Sequence, residues 1–497
     1  MTSRADLTLT REQYVDRVNA IWHAQMIAVF LTLPYEHKMS AVEPVRGFPK
    51  PMTHASVDDD WYYEMAAVRG FETFGIGMTA DELGKKWVEH NCGTWGSSSF
   101  ARLQLLEGIK GSESGHPRYN PFWWTIGPVF SAELYGALAP GMPNEAARMA
   151  RQYGHVNGYA EAVDGGVILA GAISLGFVES DPRKVLKKAV KLVDPSSPYR
   201  QCVESVIKMA EEGRSFEEVV HAVEDRWRRI YPQSNNAVPN GGIAAAIVWF
   251  GEGDFWKIIN LAASAADFTD VDNNAAGAVA VLAAMKGMAA LPPELVAQFG
   301  DRMIATNLGS LTLTPPVDES ISGLARRTAA IGEKIALANG GSVKGDRIKF
   351  KTQTPRMQPA ERFELANLMR YWNPDWTLER AGFSGPHGGT YLKGDELITF
   401  PCDEVRALVM RRTLKLGDSP SLGVDVAAEE GQFWELNVAV GNDLIHKQVI
   451  ISDEPGTVYH PIHLDLLKYA GREVTIRLFQ KAQLDWDAKK TGKPPGA

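Results

Sequence analysis

Cysteine is scarce in this chain of 497 residues, which contains three, Cys92, Cys202 and Cys402. They are far apart, and neither a Cys-x-x-Cys pair nor zinc-finger spacing is present. An odd number of dispersed cysteines best fits a reducing compartment. We therefore expect a cytoplasmic protein.

Long hydrophobic runs are also missing. Residues 1–10 are charged and polar where a secretory signal needs an apolar stretch. Elsewhere, no segment of about 18 apolar residues lacks charges and glycine, as a membrane span would require. We expect a protein that is neither exported nor embedded in a membrane.

An excess of positive charge is absent, since 52 basic residues stand against 60 acidic ones and the formal net charge is -8. Such a chain creates no field that gathers nucleic acid or an anionic membrane surface. Nucleic acid and membranes are therefore disfavoured as partners, whereas a small anionic substrate is not. The length predicts two or more domains.

Helical periodicity dominates from about residue 11 to residue 337. Ser215 and Glu218 form a capping-box pattern, and Asn144 precedes another helical segment. Residues 241–250 and 275–288 are rich in alanine and glycine and nearly free of charge, as helices buried on every side would be. The fold class is therefore mainly α, with a compact all-helical domain over residues 1–340.

The pattern changes after residue 340. Residues 312–316 and 340–344 resemble loops, and short alternating runs follow at 407–410, 423–426, 434–440 and 474–478. Short strands separated by turn residues indicate an antiparallel β-sandwich, similar to the jelly-roll modules appended to carbohydrate-active enzymes. Residues 341–497 are expected to form this smaller, accessory domain.

Three adjacent carboxylates, Asp58, Asp59 and Asp60, stand where a helix is expected to begin. Packed together they repel one another unless a cation or a helix N-terminus stabilises them. One interpretation is a metal site. The other is that one aspartate simply caps the helix, and the segment alone does not decide between them.

A second acidic segment lies about two hundred residues later and contains Asp270, Asp272 and Asn273. Hard divalent cations bind carboxylate and amide oxygens, and magnesium uses few carboxylates while it keeps waters that a substrate can displace. An EF-hand is excluded because its ligand spacing is absent. A helix cap is the alternative, but a cap needs one carboxylate and this segment provides several.

These two segments resemble the paired-aspartate motifs of the ADP-ribosylglycohydrolase family, the first in a triple-aspartate form and the second in the form Asp-x-Asp before a glycine-containing helix. The likeness covers about residues 11–337 and follows a bacterial branch of the family. Supporting matches are Tyr14 to Val18, Leu33 to Glu36, Ile126-Gly127, Ala132 to Gly136, Ala139 to Ala147, and His155 with Asn157-Gly158.

The resemblance implies a helical domain that binds two magnesium ions, with Mn2+ or Ca2+ as alternatives. The implied metal ligands are Asp58, Asp59, Asp60, Asp270, Asp272 and Asn273, of which Asp59 and Asp272 are also catalytic candidates. Glu36 matches a loop glutamate beside the reacting sugar and is the candidate for acid/base catalysis or gating. The alternative for Glu36 is an ordinary solvated loop carboxylate.

Four further residues are candidates for substrate binding: His155, Asn157, Trp123 and Trp124. The indole rings could stack on a sugar or base, but tryptophans at this density are more often part of a core. A lone histidine among helix-forming residues is likewise more often packed than catalytic. Both interpretations stay open for each of these residues.

Departures from the family pattern bear on the substrate. Ser131 stands where the branch has an arginine, Val271 replaces the threonine of Asp-Thr-Asp, and Gln25 stands where a basic residue is usual. Arginine is the usual bidentate partner of phosphate, so its loss disfavours ADP-ribose. A smaller glycoside, with an apolar or aromatic leaving group, is favoured instead.

The sequence thus predicts a magnesium-dependent glycohydrolase that cleaves an N- or O-glycosidic bond at C1 of a ribosyl or related substrate. Its partner would be a small-molecule glycoside or ribosylated substrate, and the enzyme could act as a monomer or an oligomer. The alternative is a non-catalytic carbohydrate-binding or structural relative of the same fold. A third interpretation makes the β-sandwich the functional element.

Overall fold

The computed structural model describes residues 5–379, 390–400, 407–452 and 456–482. The chain divides into two compact units, Met1–Arg362 and Phe363–Ala497. Residues 341–362, which the sequence pattern places in the second domain, lie in the first unit, where they contribute two strands.

Helices make up most of the first unit, as expected for its class. In chain order they are α1 (Arg11–Thr32), α2 (Asp59–Phe74), α3 (Ala80–Glu89), α4 (Gly96–Leu106), α5 (Glu133–Ala137), α6 (Pro143–Gly154), α7 (Ala160–Gly176), α8 (Pro182–Ala189), α9 (Pro198–Glu211), α10 (Phe216–Val223), α11 (Ala237–Gly251), α12 (Phe255–Ser264), α13 (Val271–Lys286), α14 (Pro293–Gln298) and α15 (Ile321–Ala338).

Local signals place several helix starts correctly. The capping box of Ser215 and Glu218 begins α10, as predicted, and Thr79 with Glu82 forms another at α3. Asn144, expected as a cap, lies inside the first turn of α6, because Pro143 occupies the first helical position and Met142 precedes it. Both helices predicted to be buried, α11 and α13, are enclosed in the core.

The first unit is not entirely helical, which corrects the expected all-helical domain. Its strands are β1 (Leu7–Thr10), β2 (Arg302–Leu308), β3 (Leu311–Ser320), β4 (Ser342–Lys344) and β5 (Arg347–Phe350). Strands β2 and β3 form an antiparallel hairpin, and β5 pairs with β1 and β4 in a three-stranded sheet. The segments 312–316 and 342–344, expected to be loops, are therefore strands.

The second unit consists mainly of antiparallel strands. Its elements are α16 (Met369–Trp372), β6 (Thr377–Glu379), β7 (Tyr391–Lys393), β8 (Glu396–Ile398), β9 (Leu408–Lys415), β10 (Ser421–Val426), β11 (Phe433–Val440), β12 (Asp443–Ile451), β13 (His460–Asp465) and β14 (Glu473–Ala482).

A five-stranded sheet of order β12-β11-β14-β9-β6 forms the main layer of this unit, and β10 pairs with β13 in a separate antiparallel pair. Alternate side chains of the central strands, among them Leu436, Val438 and Leu478, join Ile462 of β13 in one buried cluster. Burial alternates along the paired strands with a period of two, so one face of the strands contributes to a shared core. The predicted antiparallel sandwich is confirmed.

Within the residues that the structure describes, no helix is both long enough and apolar enough to cross a lipid bilayer.

A glycine that faces an aromatic ring offers a test of the close packing in the first unit. A Cβ added at Gly165 of α7 would lie 2.6 Å from Cε2 of Tyr199 and 2.8 Å from Cγ2 of Val129. The Gly165→Ala variant should lose about 1–3 kcal/mol of unfolding free energy through overpacking, although alanine favours the helix. Urea denaturation measures the change. Gly77→Ala is the control, because no heavy atom lies within 4 Å of a Cβ added there. Its unfolding free energy should stay unchanged. Equal losses in both variants would contradict the packing account.

Candidate metal centre

The first acidic segment forms the start of α2. Asp58 is the N-cap, and its side chain accepts a long hydrogen bond of 3.4 Å from the backbone N–H of Asp60. Asp59 and Asp60 occupy the first turn, where the partial positive charge of a helix N-terminus favours carboxylates. One aspartate therefore caps the helix, and two further carboxylates remain that the cap does not need.

The second acidic segment forms the start of α13. Asp270 holds the N-cap position, but its side chain makes no capping hydrogen bond. Asp272 is only 3% exposed, and its Oδ1 has no hydrogen-bond partner among the described residues. An unpaired buried carboxylate oxygen is costly, so a simple helix cap does not account for this segment.

The structure brings the two acidic segments together. Asn273 Nδ2 of α13 lies 3.4 Å from Asp60 Oδ1 of α2, a long hydrogen bond in which the amide donates. Burial, and next the charge of Asp272, raise the pKa of Asp60 and of Asp270 well above the usual range. Helices that begin about two hundred residues apart thus present their carboxylates to one another.

The same electrostatic cause acts on the remaining carboxylates. Burial, followed by the charge of Asp58, raises the pKa of Asp59. The pKa of Asp272 is raised by burial and next by Glu36. The group is therefore a centre rich in carboxyl groups, in which burial and like charges both oppose ionisation.

Glu36 reaches this centre through a loop that is hydrogen-bonded to the second acidic segment. It follows a 3-10 turn at Leu33–Tyr35. The loop is held because His37 N donates to Thr269 O at 2.9 Å and Phe268 N donates to Lys38 O at 2.6 Å. Burial, and next Asp58, raise the pKa of Glu36, whose side chain is 34% exposed. Its catalytic role therefore stays a prediction beside the alternative of a solvated loop carboxylate.

His37 is a residue of this centre that sequence reasoning missed. Its Nε2 lies 3.4 Å from Glu36 Oε1 and 3.6 Å from Asp270 Oδ2. Burial, and next the positive charge of Arg228, lower the pKa of His37, so the neutral imidazole is favoured. The one signal in the sequence is its position directly after Glu36.

Asn240 is a second residue that sequence reasoning missed. Its Oδ1 accepts hydrogen bonds from Thr269 Oγ1 at 2.6 Å, Asn274 Nδ2 at 2.9 Å and Asp270 N at 3.2 Å. Its Nδ2 donates to the carbonyls of Ser234 and Asn236. Asn240 thereby fixes the start of α13 against α11, and its only sequence signal is an amide inside an apolar helix.

The residues of this centre suit a hard divalent cation. Potential ligand atoms lie within 4.8 Å of one another in two groups, one of Asp58, Asp59 and Asp60, the other of Glu36, His37 and Asp270. Among the described residues, one ion pair involves these aspartates, and it joins His37 to Asp270. Arg228 and Lys38 act on the edge of this centre only through their charge, on Asp270 and on Glu36 respectively. Oxygen-rich clusters whose carboxylates outnumber the nearby basic groups are the sites that such cations neutralise.

Three of the candidate substrate-binding residues are packed inside the first unit. Trp123 is 3% exposed and Trp124 is 2% exposed, with Trp124 Nε1 donating to Pro121 O at 2.9 Å. Asn157 is buried and donates from Nδ2 to Ser98 Oγ at 3.1 Å. These contacts give all three a structural role, and their contact with a substrate stays a prediction.

His155, the fourth candidate, belongs to a different group of charges. Its Nε2 lies 3.0 Å from a carboxylate oxygen of Glu361, and Arg151 Nη1 lies 3.1 Å from the same carboxylate. Arg151 also pairs with the buried Asp164 at 2.7 Å. Among the described residues, the His155 side chain contacts this ion-pair group and the ring of Tyr159, with ring centroids 5.7 Å apart, and no residue of the acidic centre.

Comparison with known proteins adds an independent finding. The family model described as ADP-ribosylglycohydrolase matches residues 10–330 of this chain. A solved structure titled "ADP-ribosylglycohydrolase-related protein complex" is similar with a TM-score of 0.44 and 15% sequence identity, over 65% of this chain and 99% of that chain. No curated protein matches this chain.

The positioning role of Asn240 predicts a selective loss of divalent-ion binding. Asn240→Ala removes the acceptor shared by Thr269, Asp270 and Asn274, so Mn2+ affinity should fall about 10- to 100-fold, as when groups that orient ligands are removed. Isothermal titration calorimetry measures the affinity. Asn260→Ala is the matched control, because Asn260 makes a similar set of bonds to Val45 and Trp256 in the same unit. Equal affinity losses in the two variants would contradict the assignment.

Proposed function

Since the chain belongs to the ADP-ribosylglycohydrolase family, we propose that it is a metal-dependent glycohydrolase that cleaves the N- or O-glycosidic bond at C1 of a ribosyl or related glycosyl substrate. The observation that carries this proposal is the meeting of two acidic helix starts, one of which contains Asp272, whose Oδ1 has no hydrogen-bond partner among the described residues. A cluster of buried like charges is costly, and folds retain such clusters where a cation or a reaction needs them.

Two divalent cations would be held by the acidic helix starts, as magnesium or alternatively Mn2+ or Ca2+. The proposed ligands are Asp58, Asp59, Asp60, Asp270, Asp272 and Asn273. When bound, such ions orient sugar hydroxyls and lower the pKa of a coordinated water.

Glu36 is the proposed acid/base residue. Because its pKa is raised by burial and by Asp58, it holds a proton at a higher pH than an exposed glutamate does. A carboxyl of this kind can donate a proton to the leaving nitrogen or oxygen and then take one from water. The hydrogen bonds between its loop and residues 268–269 keep it beside Asp270 and Asp272.

Asp59 and Asp272 have a second proposed role beyond ion binding. Glycosidic cleavage develops positive charge at C1 and at the ring oxygen in an oxocarbenium-like transition state. Carboxylates fixed in a poorly hydrated pocket stabilise such charge more strongly than water does. Asp59 lies in the first turn of α2 and Asp272 in the first turn of α13.

We further propose that the preferred substrate is not an ADP-ribosylated protein. Ser131, at the position where the related branch has arginine, donates from Oγ to its own chain at Gly127 O, 3.1 Å away. Its side chain is therefore committed locally and carries no charge for a diphosphate. A smaller glycoside with an apolar or aromatic leaving group is favoured.

A chelation experiment tests the proposed reaction. Full-length enzyme stripped of metal should lose turnover of a suitable riboside, and added Mg2+ or Mn2+ should restore it. Full activity in a preparation shown by elemental analysis to be metal-free would overturn the metal-dependent mechanism. Absence of glycosidase activity in the metal-loaded enzyme across a broad glycoside panel would favour the non-catalytic alternative.

The substrate proposal predicts a particular order of rates. Simple ribosides with aromatic leaving groups should be cleaved with a higher kcat/KM than ADP-ribosyl-arginine or ADP-ribosyl-serine, because no arginine stands at position 131 to pair with a pyrophosphate. Parallel turnover assays measure the ratio. A strong preference for either ADP-ribosyl substrate would show that backbone amides bind the diphosphate instead.

Asp272→Asn should separate activity from folding. Removing one of the opposed buried charges should raise the melting temperature of the metal-free protein. The same change should lower turnover at least about 100-fold, because a ligand and a catalytic carboxylate are lost. Asp254→Asn is the control, since Asp254 caps α12 through Lys257 N and lies outside the acidic centre. Asp272→Asn with normal turnover would remove this residue from the site.

A further inference from the structure

One member of the acidic centre is not acidic. His37 places Nε2 between Glu36 Oε1, at 3.4 Å, and Asp270 Oδ2, at 3.6 Å. Both separations exceed the usual N···O distance of a hydrogen bond, which is about 2.9–3.0 Å. The imidazole is therefore close to both carboxylates without a good hydrogen bond to either.

These separations fit ligands that share one ion. Nitrogen and oxygen ligands lie about 2.1 Å from a transition-metal ion, so two of them at a tetrahedral angle are about 3.4 Å apart. The ligand atoms of Glu36, His37 and Asp270 all lie within 4.8 Å of one another. An ion among them would need only small side-chain movements.

A second observation points to the same place. Asp272 is 3% exposed, and its Oδ1 has no hydrogen-bond partner among the described residues. Among the neighbouring charges, that of Glu36 contributes most to raising the pKa of Asp272, so this carboxyl group lies within electrostatic range of the group that contains His37. A cation at this point would satisfy a buried acceptor that has no partner in the described part of the chain.

We propose that His37 is a metal ligand through Nε2, and that this nitrogen makes one ion of the centre a transition metal such as Mn2+, Co2+ or Zn2+ in preference to Mg2+. This inference rests on the proposed function, because it assigns a ligand within the same metal centre. Mg2+ binds oxygen ligands almost exclusively, whereas transition-metal ions accept an imidazole nitrogen more readily, Mn2+ least strongly among them and the later first-row ions such as Co2+ and Zn2+ more strongly.

The backbone holds the imidazole at this point. His37 has a φ of 51°, in the left-handed region that residues other than glycine and asparagine seldom adopt. Its N–H donates to Thr269 O at 2.9 Å, and the neighbouring Lys38 carbonyl accepts from Phe268 N at 2.6 Å. These two bonds join the loop to the residues directly before Asp270.

The left-handed backbone allows two closely matched variants. Asparagine tolerates this conformation and replaces the nitrogen ligand by an amide oxygen, so His37→Asn tests the identity of the ligand atom. Glycine is unstrained there and has no side chain, so His37→Gly tests the loss of the ligand altogether. His221→Gln, at an exposed position of α10, is the control for loss of a histidine elsewhere.

Competition titrations measure the selectivity. Metal-free full-length protein is titrated with Mn2+ and with Mg2+, and the ratio of the two affinities is compared between variants. The Mn2+ preference should fall about tenfold or more in His37→Asn and His37→Gly, with Mg2+ affinity in His37→Asn changed far less. His221→Gln should keep the ratio of the unmodified protein.

Pulsed electron paramagnetic resonance of the Mn2+-loaded protein identifies the ligand directly. The unmodified protein and His221→Gln should show hyperfine coupling to an imidazole nitrogen, and His37→Asn should not. An unchanged affinity ratio together with no nitrogen coupling in the unmodified protein would overturn the role of His37 while the metal centre stands. If the unmodified protein binds neither ion, the metal centre of the proposed function is itself wrong, and the inference falls with it.

Discussion

Repulsion among buried carboxylates is the constraint on which the arrangement of the first unit depends. Asp59, Asp60, Asp270 and Asp272 each have a raised pKa because burial and neighbouring negative charges both oppose ionisation. A fold that only maximised stability would not assemble them. Their convergence at two helix N-termini limits the cost, because the dipoles of α2 and α13 favour negative charge at that end.

Neutral hydrogen-bonding groups hold the charged ones in place. Asn240 joins the start of α13 to α11, and the loop from Glu36 to Ser40 is bonded to residues 267–269. These groups bond mainly to backbone atoms and amides, so they fix positions without neutralising the carboxylates. The first unit thus has a lower folding stability than it could have, because it holds a preorganised acidic centre, as functional sites commonly do.

Glu64, one turn further along α2, shows another way in which this core accommodates a buried carboxyl group. Glu64 is buried, but its two oxygens accept hydrogen bonds from Leu134 N at 2.6 Å and Gln25 Nε2 at 3.0 Å. Nearby, burial raises the pKa of Glu133 to about 8, so that carboxyl is largely protonated at neutral pH. Buried carboxyl groups of this helical core are therefore accommodated either by donors, as at Glu64, or by a proton, as at Glu133. Among the described residues, Glu133 Oε2 and Asp272 Oδ1 both have no hydrogen-bond partner.

Sequence by itself determined the class of each domain and the two acidic helix starts, because helical periodicity, capping residues and adjacent aspartates are local properties of the chain. Only the tertiary structure decided which distant residues share a site. The pairing of β1 with β5, the hydrogen bonds of Asn240 and the approach of His37 to Asp270 each join segments far apart in the chain. The sequence could not decide the burial of Trp123 and Trp124 either, because an aromatic residue has the same local signature in a core as on a binding surface.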